Sequence, residues 1–288
     1  MMRCYLCPRK CGADRENTLG ACKCGENIRV AKVMVHMWEE PCISGENGSG
    51  TIFFGGCPLG CVYCQNKEIS RGYVGEKITP QELGDIMLDL QNQGVHNINL
   101  VTPTHFSDKI REAISLVKSE LKIPIVYNTS GYELDTEIEK MAGYVDVFLC
   151  DIKYFSSEIS KKYSSAPDYY EVAKRAFGKM LRLVQECTFD KNGIMTKGVI
   201  LRHLVLPTLR HDSMKILEDI KNSFDISSFK LSLMSQYTPD FCPDDYKEIK
   251  RRVTTFEYNS VVDYAISLGY DGYIQDKSSS NTAFTPKF

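Results

Sequence analysis

The sequence predicts an α/β fold: a parallel sheet built from about six βα units, preceded by a small cysteine-rich segment. Three observations predict it. From residue 51 onward, short β-branched runs alternate with stretches whose apolar residues recur at helical spacing. Such alternation implies parallel strands joined by right-handed crossovers. Five cysteines (Cys4, Cys7, Cys11, Cys22 and Cys24) fall in a first segment too poor in apolar side chains to fold on burial alone. Three more, Cys57, Cys61 and Cys64, stand at C-x3-C-x2-C on a glycine-rich loop directly after the first strand of the alternation.

At 288 residues, 43% hydrophobic and 25% charged, the chain has room for one large barrel-type domain and an appendage. The expected division is a cysteine-rich segment and linker over 1–50, a core over 51–275, and a flexible tail over 276–288 with three consecutive serines. A formal net charge of −2 supplies no basic field for nucleic acid, and Lys and Arg are scattered. No apolar run reaches transmembrane length, and Met1, Met2, Arg3 and Cys4 do not begin a signal peptide. A cytoplasmic protein with no membrane partner is expected. There, twelve cysteines point to metal rather than disulfides.

Residues 28–33 alternate and predict an edge strand; Glu46, Asn47, Gly48, Ser49 and Gly50 predict a turn. Thr51, Ile52, Phe53 and Phe54 form the first core strand. Thr79, Pro80 and Glu82 predict a capped helix start, with Leu83, Ile86, Met87 and Leu90 on one face and Gly94 as the stop. Strands are predicted at 97–102, 124–129, 145–151, 198–206 and 229–234, with a short last one at 273–275. Between them lie a helix capped by Ser107, a short helix opened by Asp135 and a long one over about 167–187. One more is opened by Asp212, and a last stretch runs from Pro243 to near Gly269.

The cysteine loop carries the chemistry. Gly55, Gly56 and Pro58 break the strand, so the three thiols sit at a strand's C-terminal end. Three thiolates are one short of the four that close a four-iron cluster. One iron stays open, as a catalytic metal site keeps a position for substrate. Tyr63, between the last two cysteines, can pack beside whatever binds that iron. A structural zinc or a ferredoxin-like cluster is the plainer alternative.

This spacing, with an aromatic residue just before the third cysteine, resembles the signature of the radical S-adenosylmethionine (SAM) enzymes. The stretch from Gly50 to Asn66 is similar to a narrower group, the PflX-like homologues of pyruvate formate-lyase activating enzyme. The resemblance implies a partial (β/α)6 barrel of the TIM type and a [4Fe-4S] cluster on Cys57, Cys61 and Cys64. It implies SAM on the open iron and a one-electron donor of the flavodoxin or ferredoxin type. It further implies reductive cleavage of SAM to a 5′-deoxyadenosyl radical that abstracts a hydrogen atom, in the narrower group from a glycine of a glycyl-radical enzyme. A different peptide or small-molecule substrate stays open, because PflX-like chains carry their extra cysteines before the radical motif and typical activases carry theirs after it. Cys4, Cys7, Cys11 and Cys22 predict a second site, either a closed zinc knuckle or an auxiliary iron–sulfur cluster. Cys24 reads as a spare and Cys42 as a small packed residue.

Ligands of such folds bind at the strands' C-terminal ends. Thr102 and Thr104 follow the second strand, where many radical SAM enzymes have Gly-Gly-Glu; here they, or backbone carbonyls, are left to accept the SAM ammonium. His105 is expected as a proton donor or substrate contact, against a solvated loop histidine. Asn128 and Ser130 end the third strand, Asp151 and Lys153 the fourth. These resemble segments of glycyl-radical activating enzymes in which carboxylates hold a monovalent cation and a lysine holds SAM. Asn128 replaces the usual aspartate, which weakens a cation site. The bland alternative for Asp151 and Lys153 is a mutual surface pair. Arg202 and His203 point to opposite faces, and Arg202 is expected to meet the SAM carboxylate or a substrate acid. Gln236 and Tyr237, just past the sixth strand, are either readers of the adenine edge or plain loop residues. Two other classes are weighed: an electron-transfer protein with every iron ligated by the chain, and a zinc-finger nucleic-acid binder, which the charge disfavours.

Overall fold

Each core strand but the last is followed by a helix that carries the chain back across the sheet, and this makes neighbouring strands parallel. The computed structural model describes residues 3–72 and 74–275. It opens with β1 (Ile28–His36), α1 (Pro41–Ser44), β2 (Ser49–Phe54), α2 (Lys67–Ser70), β3 (Glu76–Ile78) and α3 (Pro80–Asn92). Next come β4 (Ile98–Val101), α4 (Ser107–Val117), β5 (Ile125–Thr129), α5 (Asp135–Lys140), β6 (Val147–Asp151), α6 (Ser157–Ser164) and α7 (Tyr169–Val184). The chain ends in β7 (Thr188–Phe189), β8 (Met195–Leu204), α8 (Arg210–Ser223), β9 (Lys230–Met234), α9 (Thr255–Ser267) and β10 (Gly272–Ile274).

The ten strands form one sheet in the order β10-β9-β8-β6-β5-β4-β2-β1-β3, with β7 as a hairpin arm on β8. Strands β2, β4, β5, β6, β8, β9 and β10 pair in parallel, whereas β1 and β3 extend the sheet antiparallel. Among the described residues β10 and β3 remain unpaired ends, so the barrel is partial and open, in the arrangement the resemblance implied. Every residue of β2, β4 and β5 is buried, as expected for parallel strands covered on both faces. No helix is long and apolar enough to cross a membrane, among the described residues.

Helix α3 has the predicted capping box: Thr79 accepts from the Glu82 amide, and the Glu82 side chain accepts from the Thr79 amide. Other boundaries differ for identifiable reasons. The expected edge strand at 28–33 is the longer β1, and it is interior, flanked by β2 and β3. Ser49 and Gly50, expected in a turn, already belong to β2. Ser107 is the first residue of α4 rather than its cap; its hydroxyl donates to Glu137 (3.3 Å). The long helix expected over 167–187 is α7 alone, and a separate α6 precedes it, ended by Ser165 at φ 50°. Asp212 lies inside the first turn of α8, where its carboxylate accepts from the Phe155 and Ser156 amides (2.8 and 2.9 Å). Pro243 starts no helix; α9 begins at Thr255, set by a second capping box between Thr254 and Glu257. The tail expected at 276–288 lies outside the described residues.

Candidate active site at the strand ends

The loop after β2 is held from two sides. The Gly56 amide donates to Ile69 O (2.7 Å) and the Val62 amide to Tyr163 O (2.9 Å). The Arg9 guanidinium donates to Pro58 O, Leu59 O and Ser164 O (2.7, 3.2 and 2.7 Å), clamping the loop to the end of α6. Thus fixed, Cys57, Cys61 and Cys64 all line one cavity of about 210 Å³ at the C-terminal ends of the strands. Two sulfurs receive hydrogen bonds: Cys57 Sγ from the Gly60 amide (3.5 Å) and Cys61 Sγ from the Ser164 hydroxyl (3.1 Å).

The donor set fits an iron–sulfur cluster with one open iron. Burial pushes the Cys57 thiol up to about 12 and lifts Cys64 as well, and the neighbouring Cys61 raises both further. Adjacent thiols shielded from solvent ionise together only when a bound cation takes up their charge. The three sulfurs are not drawn within 4.8 Å of one another, as ligands of a single ion would be, among the described residues. They are spread, as thiolates on separate irons are.

A charged floor lies beside the cysteines. The Arg202 guanidinium donates from Nε to Asp151 Oδ1 (2.9 Å), and from its two other nitrogens to Glu39 Oε2 (3.0 Å) and Asn128 Oδ1 (2.6 Å). Lys153 Nζ donates to Asp151 Oδ2 (2.6 Å). These charged side chains are only 11–16% exposed, so Asp151 and Lys153 are a buried cavity pair and not a surface pair. Burial alone would raise the Asp151 carboxyl, but the Arg202 and Lys153 charges prevail and hold it below the usual range. Burial likewise disfavours the charge on Lys153, and Asp151 and Cys61 outweigh it, so the ammonium is retained. Arg202 meets the protein's own acids, Asp151 and Glu39, and two side-chain cations sit on Asp151, beside the Asn128 that was expected to weaken a cation site.

The remaining expected residues separate into two groups. Tyr63, Thr102, Asn128, Ser130, Gln236 and Tyr237 line the cavity. The Tyr63 hydroxyl accepts from Tyr154 (2.7 Å), and its ring meets Tyr154, Tyr163 and Tyr237 edge-on. Thr102 adopts φ 60° at the end of β4, a left-handed conformation that costs a non-glycine residue about 1–2 kcal/mol. Thr104 and His105 do not line the cavity. The Thr104 hydroxyl donates to the buried Glu133 (2.5 Å), whose carboxyl burial raises to about 7. His105 is 1% exposed, neither solvated nor facing the cavity, because the short turn after β4 folds its ring under Gly55. Burial pulls its imidazole down to about 4, so it is neutral. His203 faces the other way, between Ile152 O and the Ser213 hydroxyl (2.7 and 2.8 Å).

The N-terminal cysteines gather differently from the expected set. Cys22 and Cys24 lie with His105, whereas Cys4, Cys7 and Cys11 are outside that group. The Cys24 thiol donates to Gly55 O (3.0 Å), and the two neighbouring sulfurs shift in opposite directions through their mutual contact, Cys22 down and Cys24 up. Cys24, read as a spare, is thus paired; Cys42 is packed among Ile43, Val126 and Val147. Sequence reasoning missed Glu39, which ties Arg202, Asn99 and Asn128 together (Asn99 Nδ2 at 2.9 Å), and its neighbour Glu40, lifted by burial. The one available signal was a pair of acids directly before a proline that opens a helix.

A family model for the radical SAM superfamily matches residues 51–195. The chain is 29% identical over 284 residues to an uncharacterized protein of Methanocaldococcus jannaschii, covering 93% of this chain and 77% of that one. It resembles the structure of a radical SAM methyltransferase from Sphaerobacter thermophilus (TM-score 0.52, 11% identity, 78% of this chain and 66% of that one). It also resembles Streptococcus suis SuiB bound to precursor peptide SuiA (TM-score 0.52, 15% identity, 76% and 46%). The chain spans under two thirds of the length of either solved structure. At these identities the likeness speaks for the fold alone.

Proposed function

The chain belongs to the radical SAM superfamily, and from that premise we propose that it abstracts a hydrogen atom from a peptide segment of a partner protein. The observation that carries this reading is a single cavity lined by Cys57, Cys61 and Cys64 together with Asp151 and Lys153. When bound at the three cysteines, a [4Fe-4S] cluster supplies one-electron reductive cleavage of SAM to a 5′-deoxyadenosyl radical. Everything else falls to the chain's own side chains. Lys153, kept cationic, offers a charge-assisted contact to a carboxylate or hydroxyl of SAM. Each Asp151 oxygen uses one lone pair on Arg202 or Lys153 and has another for an ammonium or ribose hydroxyl. Arg202 positions Asp151, Glu39 and Asn128 rather than touching the reacting atoms. Tyr63, Tyr237, Leu59 and Met234 supply apolar wall that excludes water.

The peptide class is supported by the mouth of the cavity, where Trp38 lines the opening and is 62% exposed. The resemblance to PflX-like proteins names the first candidate, a glycine of a glycyl-radical enzyme. A flavodoxin- or ferredoxin-type protein would supply the electron. No disulfide joins any of the twelve cysteines, and metal-ligating thiolates need a reducing compartment such as the cytoplasm.

The test is anaerobic reconstitution with iron and sulfide, addition of SAM and dithionite, and assay of 5′-deoxyadenosine, with Cys57→Ala as control. Product that vanishes in the variant supports the reading; a fully loaded cluster that yields none, with candidate peptides present, overturns it. A glycyl radical signal on adding a glycyl-radical enzyme would fix the substrate, and turnover with another peptide alone would move it away from activation.

A further inference from the structure

Cys22 Sγ, Cys24 Sγ and a ring nitrogen of His105 all lie within 4.8 Å of one another, all three residues are buried, and none lines the cavity. His105 Nε2 and the Cys24 thiol both meet Gly55 O (2.8 and 3.0 Å), while His105 Nδ1 is buried with no hydrogen-bond partner. A metal-bound histidine donates from one nitrogen to a carbonyl and offers the lone pair of the other. A buried ring nitrogen left unpaired is costly, so its presence calls for a partner.

Spacing selects the kind of centre. Around one tetrahedral ion with Zn–S bonds of about 2.3 Å, ligand atoms stand roughly 3.8 Å apart. A four-iron cluster instead spreads its thiolates over separate irons. The mixed sulfur and nitrogen set suits zinc, whereas four-iron clusters take thiolates. A fourth thiol, the exposed Cys11, stands nearby but outside the converged three. An ideal Cβ on Gly20 would stand 3.3 Å from Cys22 Sγ and 3.6 Å from Cys11 Sγ, so the two sulfurs flank the same glycine.

We infer that Cys22, Cys24 and His105 form a single-ion zinc site, closed by Cys11. The ion joins the cysteine-rich segment to the turn after β4. It stands directly behind the catalytic loop, where the Cys57 amide donates to Cys22 O (3.2 Å). Gly56 is required between them: at φ 82° its ideal Cβ would lie 2.4 Å from Cys24 Sγ and 3.3 Å from His105 Nε2. The inference is independent of SAM chemistry and survives or fails apart from it.

The test is zinc K-edge X-ray absorption on the anaerobically purified full chain, with zinc and iron counted on the same samples of wild type, His105→Ala, Cys24→Ser and Cys57→Ala. The expected result is about one zinc per chain with a mixed sulfur and nitrogen shell. Zinc affinity should fall on the order of 100-fold in His105→Ala and Cys24→Ser with iron retained, and Cys57→Ala should lose iron and keep zinc. An all-sulfur shell, unaltered zinc retention in His105→Ala, or iron in place of zinc would each overturn it. The shell is measured on the wild type, so its composition decides for or against the site even where a variant fails to fold.

Discussion

The molecule places two sulfur-rich regions back to back, and they differ in the way that separates catalytic from structural metal sites. Cys57, Cys61 and Cys64 are spread over a loop and face a cavity. Cys22, Cys24 and His105 converge within 4.8 Å and face only protein. A centre that must accept a substrate keeps a coordination position open; a centre that holds chain segments together closes it. The shared wall is short. Gly55 O receives the His105 ring nitrogen on one side, and the next residues carry the cavity thiols on the other. Count and spacing of cysteines alone would make the two look alike. What distinguishes them is the neighbouring non-cysteine chemistry: Asp151, Lys153 and Arg202 on one side, an imidazole on the other.

The comparison breaks most visibly at Cys57. Cys57→Ala should abolish 5′-deoxyadenosine formation while zinc stays bound, as checked by product assay and metal count on one sample. Zinc lost together with iron would merge the two regions into one. Arg202→Ala should come next, because it leaves Glu39 buried without its cation and Asp151 with Lys153 alone. Breaking a buried pair costs about 3–5 kcal/mol, to be read as a lower denaturation midpoint, with Arg202→Lys in between.

A third handle lies on the closed side. Glu133 accepts from Thr104 and Thr129, stands near Glu137 and Cys7, and its carboxyl is raised to about 7 by burial. Its folded pKa exceeds its unfolded one. Its contribution is therefore fully present below about pH 4.5 and lost as pH rises through about 7, a change on the order of 3 kcal/mol. Glu133→Gln should flatten the fall in stability between pH 5 and 8, and an unchanged slope would show that Glu133 is not its source. The smallest effect is expected at Lys153, where Lys153→Met should raise the KM for SAM about tenfold, near 1.4 kcal/mol, with a smaller loss of stability than Arg202→Ala because Arg202 still pairs with Asp151.

Much of this was legible in the chain because the signals were local. The strand β2, the break at Gly55 and Gly56, and three cysteines within eight residues need no tertiary information. The Thr79 and Glu82 box set α3 for the same reason. Alternation along β8 separated Arg202 from His203 correctly, since side-chain direction in a strand is a property of the strand. What was hidden depends on distant contacts. Glu39 acquires a partner only when β1 is laid beside β2 and β8 comes round to bring Arg202. His105 and Cys24 looked like a loop residue and a spare because nothing in either segment announces the other. Asp212 looked like a helix opener, and its carboxylate instead holds two amides at the end of the β6 loop.

Whether the cavity cysteines leave one iron free for SAM decides between a radical enzyme and an electron carrier. Electron paramagnetic resonance of the reduced, reconstituted chain, recorded with and without SAM, reads that open position. SAM should alter the cluster's signal, and Lys153→Met should need more SAM to do so. A reduced cluster whose spectrum is unchanged by saturating SAM would mean that every iron already has a protein ligand, and would make this chain an electron-transfer protein on a borrowed barrel.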